Sequence, residues 1–279
     1  MPIEPTIARY LQDLKLPAKD SHKGQNGKVL LIGGSHLFHA ASKWSLDVAS
    51  EIVDMVFYAS VPSNNELIQA AKGEFWNGIV VSRDHLEEYV EEADCILIGP
   101  GMDRSLETEA LTNKIVAQWP TKKWVVDAGA LQMIKPDLIT ESMILTPHQG
   151  ELVALKTNAG VTAEIPLSEL SEALNGACLL VKSATDRVAK NDLLIEIAGG
   201  NPGMTKGGTG DVLAGLVAAL YSTQDQVTAA VVGSYTNKRA GDALYETVGP
   251  FFNATQLVTE IPKQLWQAIG EVSGNAHRQ

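Results

Sequence analysis

Cysteine is scarce in this chain: two among 279 residues, both inside apolar runs, Ala93-Asp94-Cys95-Ile96-Leu97-Ile98 and Ala177-Cys178-Leu179-Leu180-Val181. They read as small core groups, which excludes a disulfide framework or a cysteine metal site. No apolar run reaches the length of a membrane span. The segment Met1 to Asp20 mixes Pro, Glu, Arg, Asp and Lys, without the continuous apolar stretch of a secretory signal, so cytoplasmic residence is expected. Asn253-Ala254-Thr255 matches a glycosylation acceptor, but without an export signal the match reads as chance. Positive charge is also short. Against 33 Asp and Glu stand 22 Lys and Arg, a net charge of -11 that repels nucleic-acid backbones and anionic membranes. Neither is an expected partner, and any phosphate site must be local. Two nucleotide signatures are missing as well. No Gly-Lys-Ser/Thr closes a Walker A loop, and Arg104 stands where the third glycine of a dinucleotide fingerprint would follow Gly99-Pro100-Gly101.

With 45% hydrophobic and 20% charged residues, the chain has the composition of a soluble globular protein, and its length suits one α/β domain over 1–279. Short apolar, often β-branched runs recur: Lys28–Ile32, Met55–Ser60, Ile79–Ser82, Cys95–Ile98, Trp124–Val126, Met143–Leu145 and Cys178–Val181. Such runs suit parallel strands covered on both faces. Helical periodicity marks Ala40–Val53, Leu86–Glu92, Leu106–Gln118 and Gly150–Lys156 between them, so a doubly wound, mostly parallel sheet with helices on both faces is predicted. Arg187–Ala189 and Leu194–Ile197 flank Lys190-Asn191-Asp192 as an edge hairpin. The chain then turns helical over Asp211–Tyr221, Gln226–Thr247 and Thr255–Gly270, where Ala229, Ala230, Gly233 and Ala240 allow close packing and would suit a subunit contact in a homo-oligomer.

Glycines and polar residues collect at the strand ends: Gly33-Gly34-Ser35, Gly99-Pro100-Gly101, Asp127-Ala128-Gly129-Ala130 and Thr146-Pro147-His148-Gln149-Gly150-Glu151. Open α/β sheets bind ligands at that edge. Gly203-Met204-Thr205-Lys206-Gly207-Gly208-Thr209-Gly210-Asp211-Val212-Leu213-Ala214-Gly215 adds a glycine-rich loop running into an apolar helix. A helix starting near Thr209 would aim its free amides and positive dipole end at a phosphate. Asp211 would then be either a favourable charge in the first turn or a general base for a hydroxyl that attacks phosphorus.

Together these segments, in order and spacing from about Lys23 to Tyr245, resemble the NAD(P)H-hydrate dehydratase family, whose fold is ribokinase-like. Thr-Pro-His-x-Gly-Glu combined with Gly-Gly-Thr-Gly-Asp-Val-Leu-Ala-Gly is the specific part, since Gly-Thr-Gly-Asp alone recurs across ribokinase-like kinases. The resemblance implies dehydration of the S-epimer of hydrated NADH or NADPH with ADP or ATP as co-substrate, releasing phosphate and AMP or ADP, with Mg2+ bridging nucleotide oxygens. It assigns Asp211 as base, Ala41, Gly101, His148 and Asp211 to the hydrate, and Lys182, Ser183, Ala184, Thr185, Gly208, Thr209 and Gly210 to the nucleotide. Metal-ligating residues are unknown. Departures are visible. Phe38-His39-Ala40-Ala41 stands for the family's Tyr-x-Gly-Ala, Ser183 for a glycine and Gln149 for a proline. The family is often fused to an epimerase, for which the twenty or so residues before Lys23 leave no room, so a separate epimerase chain is the expected functional partner.

Structural roles compete at several positions. His148 and Glu151 could simply open a helix, Asp127 could hold its turn through its side chain, and Asn201 could form a turn. Lys206 could screen phosphates or be solvated. Other functions also share the loop, namely a ribokinase-like kinase of a vitamin precursor or a nucleotide-binding protein with weakened catalysis.

Overall fold

A computed structural model describes residues 3–71 and 77–276. Nine strands form one sheet: β1 (Lys28–Ile32), β2 (Met55–Ala59), β3 (Gly78–Val81), β4 (Cys95–Ile98), β5 (Lys123–Val126), β6 (Met143–Leu145), β7 (Cys178–Val181), β8 (Asp186–Lys190) and β9 (Leu193–Ile197). Their order is β3-β2-β1-β4-β5-β6-β7-β8-β9, parallel from β3 to β7 and antiparallel from β7 to β9. The expected architecture and edge hairpin are both present. Asn191, at the hairpin tip, takes a positive φ of 49°, a conformation that asparagine tolerates.

Alternate residues of each strand feed two cores. Val29, Leu31, Cys95, Leu97, Val125 and Cys178 face α2 (Ala40–Ser50), α9 (Thr209–Thr223), α10 (Gln226–Val248) and α11 (Ala254–Ala276), whereas Leu30, Ile32, Ile96, Ile98, Val126 and Leu179 face the opposite layer. That layer contains α4 (Leu86–Glu92), α5 (Leu106–Gln118), α6 (Ala128–Met133), α7 (Gln149–Asn158) and α8 (Leu167–Ala173). Burial on both faces explains why the strands carry continuous apolar runs. Both cysteines are free and buried, and burial pushes the Cys178 thiol up to about 12, as a core role requires.

Helices α1 (Pro5–Gln12) and α3 (Pro62–Ala70) complete the fold. The small residues of α10 serve the close packing expected of them, within the chain itself. Ala229, Ala230 and Ala240 are fully buried within the chain, a Cβ at Gly233 would lie 2.7 Å from Val217 of α9, and one at Gly241 would lie 2.3 Å from the Met204 sulfur. This stripe packs against its own chain and presents no face to a second subunit.

β1 and β4 are neighbours, but the chain leaves β1 towards β2 and returns through β4 to the other side. Strand order reverses there, and the loops after β1 and β4 meet over the sheet's C-terminal edge.

Candidate active site

The loops at that edge are tied to one another by backbone bonds. Gly34 N–H donates to the Pro100 carbonyl at 2.7 Å, Asp127 N–H to Ile98 at 3.0 Å, Thr146 N–H to Val126 at 3.2 Å and Lys182 N–H to Pro147 at 2.8 Å. A parallel bridge between His148 and Lys182 joins the ends of β6 and β7. Gly101 is tightly enclosed: with φ +72°, a Cβ there would stand 2.9 Å from the Phe38 carbonyl oxygen and 3.1 Å from the Ala41 Cβ. Ala41 and Gly101, both assigned to the substrate by resemblance, therefore touch. Ser45 connects them to the glycine loop, since its hydroxyl lies 2.7 Å from the Asp211 carbonyl and 3.3 Å from that of Ala41.

The glycine loop ends at Gly208, which caps α9 with φ +99°. A Cβ there would meet the Trp44 ring at 2.4 Å, so both conformation and packing require glycine. Asp211 occupies the first turn of α9, as anticipated. Burial, followed by the charges of Asp127 and Glu151, raises its carboxyl to about 7, although Lys182 pulls in the other direction. The Lys182 ammonium lies 2.7 Å from Asp127 Oδ1 and 3.6 Å from where a Gly210 Cβ would stand. Burial works against its charged form, but Asp127, Glu151 and Asp211 outweigh it and hold the lysine above its ordinary pKa.

Asp127 departs from its expected role. It makes no side-chain cap at the start of α6, and its Oδ1 instead accepts from Thr146 Oγ1 at 2.8 Å and from Lys182. With 1% of its surface exposed, it lies buried against that cation. Lys206 is exposed, in keeping with the solvated role, and its ammonium also donates to the Phe252 carbonyl. Asn201 does form a turn, accepting from Gly203 N–H at 3.0 Å, and it also donates to Asp242 at 2.9 Å.

His148 caps α7, its Nδ1 accepting from the amides of Gly150 at 3.0 Å and Glu151 at 3.2 Å, while Glu151 accepts from His148 N–H at 2.9 Å. This reciprocal box is the helix-opening role considered from the sequence. The other ring nitrogen, Nε2, lies 3.5 Å from Glu151 Oε1.

A cavity of about 660 Å³ opens beside the loop, lined by His148, Lys182, Ser183, Ala184, Thr209 and Gly210 among the nominated residues. This volume suits a nucleotide-sized ligand. Thr185 and Gly208 lie outside the lining, as do Ala41, Gly101 and Asp211. The cavity wall also contains residues that the motifs did not nominate. Lys238 of α10 donates to the carbonyls of Ser183 at 3.0 Å, Ala184 at 2.9 Å and Gly199 at 3.1 Å, and pairs with Asp186 at 3.3 Å. It thus clamps the β7–β8 turn to the segment after β9. Its neighbours Ser234-Tyr235-Thr236-Asn237 and Arg239 form a polar run, so the sequence around Lys238 carries no signal of a buried charge. Among the described residues, no group of three or more His, Cys, Asp or Glu is placed to hold a metal ion.

The sheet order and the glycine loop that opens a helix are those of a ribokinase-like fold. A solved structure of a ribokinase-like superfamily protein from Enterococcus faecalis is similar, with TM-score 0.82, 23% identity and 94% coverage of each chain. Residues 29–263 match the family model described as NAD(P)H-hydrate dehydratase, and the chain belongs to that family. A bifunctional NAD(P)H-hydrate repair enzyme of Methanocaldococcus jannaschii is 31% identical over 91% of this chain and 51% of its own. An ADP-dependent (S)-NAD(P)H-hydrate dehydratase of Cenarchaeum symbiosum is 30% identical over 88% of this chain and 90% of its own. The chain spans about half the length of the bifunctional relatives it matches.

Proposed function

We propose that the chain dehydrates the S-epimer of hydrated NADH or NADPH, with ADP or ATP as the phosphoryl donor. One observation carries this reading: Asp211, at the mouth of the glycine loop, has a carboxyl raised to about 7, so it is a base matched to neutral pH. Hydroxide leaves a hydrated nicotinamide ring poorly. Asp211 takes the proton of the ring hydroxyl as its oxygen bonds to the transferred phosphorus, and AMP or ADP departs. The carbon–oxygen bond then breaks, inorganic phosphate leaves, and loss of a ring proton restores the dihydropyridine. The Gly207–Gly210 amides and Lys182 stabilise charge on the phosphoryl oxygens. A magnesium ion fits as one held by nucleotide oxygens and water, which asks few ligands of the protein. It would supply Lewis-acid neutralisation of the phosphates.

The reading extends to cytoplasmic residence, homo-oligomer formation and a separate epimerase as functional partner. Its test is recovery of dihydronicotinamide absorbance from NADH hydrate with magnesium and either nucleotide. Activity is expected to rise as pH passes about 7, where Asp211 ionises. Asp211→Asn is expected to lower it by about 100- to 10,000-fold. Recovery with neither nucleotide overturns the proposal, and a stable phosphorylated product of another small molecule would favour a kinase instead.

A further inference from the structure

The cavity wall holds one polar side chain that the chemistry above leaves unused. Asn237 of α10 lines the cavity, is 4% exposed, and its carboxamide oxygen has no hydrogen-bond partner among the described residues. Buried oxygens are almost always paired, so an orphan at a cavity wall calls for a donor that arrives with a ligand. Its polar neighbours in the wall are already engaged. Asn201 is held by Gly203 and Asp242, Thr209 by Met204, Thr205 by Pro202, and Ser183 by Thr185, while Lys238 and Asp186 hold each other. Lys238 in particular spends its ammonium on Asp186 and on three carbonyls, which leaves its stem, and not its charge, beside the ligand space.

The same lining has an apolar part: Leu213, Met204, Pro202 and the backbone of Gly199 and Gly200. An apolar slot with one free acceptor suits a flat heterocycle carrying an amine, whereas the amide-rich loop and Lys182 suit its phosphates. On the reading that this cavity takes an adenine nucleotide, we infer that Asn237 recognises the base, its Oδ1 accepting a hydrogen bond from the exocyclic amine of adenine. Asn237 is then the residue by which the site senses that amine.

Calorimetric titration of the whole protein tests this with ADP and with purine riboside diphosphate, in which hydrogen replaces the amine. The wild type is expected to bind ADP about tenfold more tightly, the worth of one desolvated hydrogen bond. Asn237→Leu should weaken ADP by a similar factor and bring the two ligands to equal affinity, with the melting temperature reporting that the variant folds. Asn237→Asp keeps an acceptor and should keep the preference for the amine. A wild type that does not discriminate, or a folded Asn237→Leu that still does, overturns the inference while leaving the nucleotide site intact. Failure of the wild type to bind either ligand overturns both readings together.

Discussion

Lys182 and Lys238 both reach a buried aspartate beside the same cavity, yet their surroundings differ. Lys238 and Asp186 are each 7% exposed in their side chains, and the ammonium meets three backbone carbonyls besides the carboxylate. Ser234 and the Ser183 amide occupy the rest of Asp186. The Lys182 side chain, 17% exposed, makes a single hydrogen bond among the described residues, from its ammonium to Asp127. An ammonium carries three donors, so two remain for a ligand. Lys182 also lies within the field of Asp211 and Glu151, whereas Lys238 is absent from the charges that set the titration of Asp211. Where a lysine's donors are all satisfied by the protein it organises loops, and where they are left over it faces chemistry.

Breaking the saturated pair should have the largest effect on folding. Lys238→Met leaves Asp186 buried without its cation and frees three carbonyls, which should cost about 3–5 kcal/mol in denaturant unfolding. The pH profile of activity should stay in place, and a shifted profile would undo the distinction between the two lysines. Lys182→Met should cost less stability, about 1–3 kcal/mol, because its pair is wetter and its other donors are unspent. Its mark is electrostatic. Lys182 lowers the Asp211 pKa, so its removal should raise that carboxyl further above about 7 and move the rising limb of the pH–rate profile to higher pH. An unmoved limb would place Lys182 in the same structural class as Lys238. Folding stability should respond with the opposite sense. The folded-state pKa of Asp211 lies above its unfolded value, so the native state holds the proton more tightly and stability falls as pH rises between the two, a slope that Asp211→Asn removes. The smallest effect belongs to His148, which borders Lys182 through the β6–β7 bridge. His148→Ala should cost about 1 kcal/mol through the lost cap, while His148→Asn should retain the cap. Lower activity in His148→Asn at unchanged melting temperature would isolate a role of the imidazole beyond capping.

Much of the fold was legible in the sequence, because strands buried on both faces must be short apolar runs. Strands from Lys28–Ile32 to Leu193–Ile197 fall within a residue or two of the expected positions. Four helices escape that argument. Pro5–Gln12 buries only Ile7 and Leu11, Pro62–Ala70 only Asn64 and Ile68, and Ala128–Met133 and Leu167–Ala173 bury three residues each. In the site, the glycine loop, Asp211 and His148 stood out because their spacing is local. Asp127 was legible as a strand-end carboxylate, but not as the partner of Lys182. Asn237 and Lys238 were not legible as site residues, because nothing near them in sequence touches the loops they line.

The amino-acid order by itself determined the alternating strands and helices, the glycine turns at the strand ends and the start of α9 behind Gly208, since each depends on apolar period or backbone freedom within a few residues. Only the tertiary structure decided that Asp127 meets Lys182, that Asp186 meets Lys238, and that Asn237 keeps an unpaired oxygen beside the cavity. Those facts depend on which buried groups the packed sheet and helices bring within hydrogen-bond reach, and the cost of burying an unpaired charge is set by that three-dimensional neighbourhood, with no local signature in the chain.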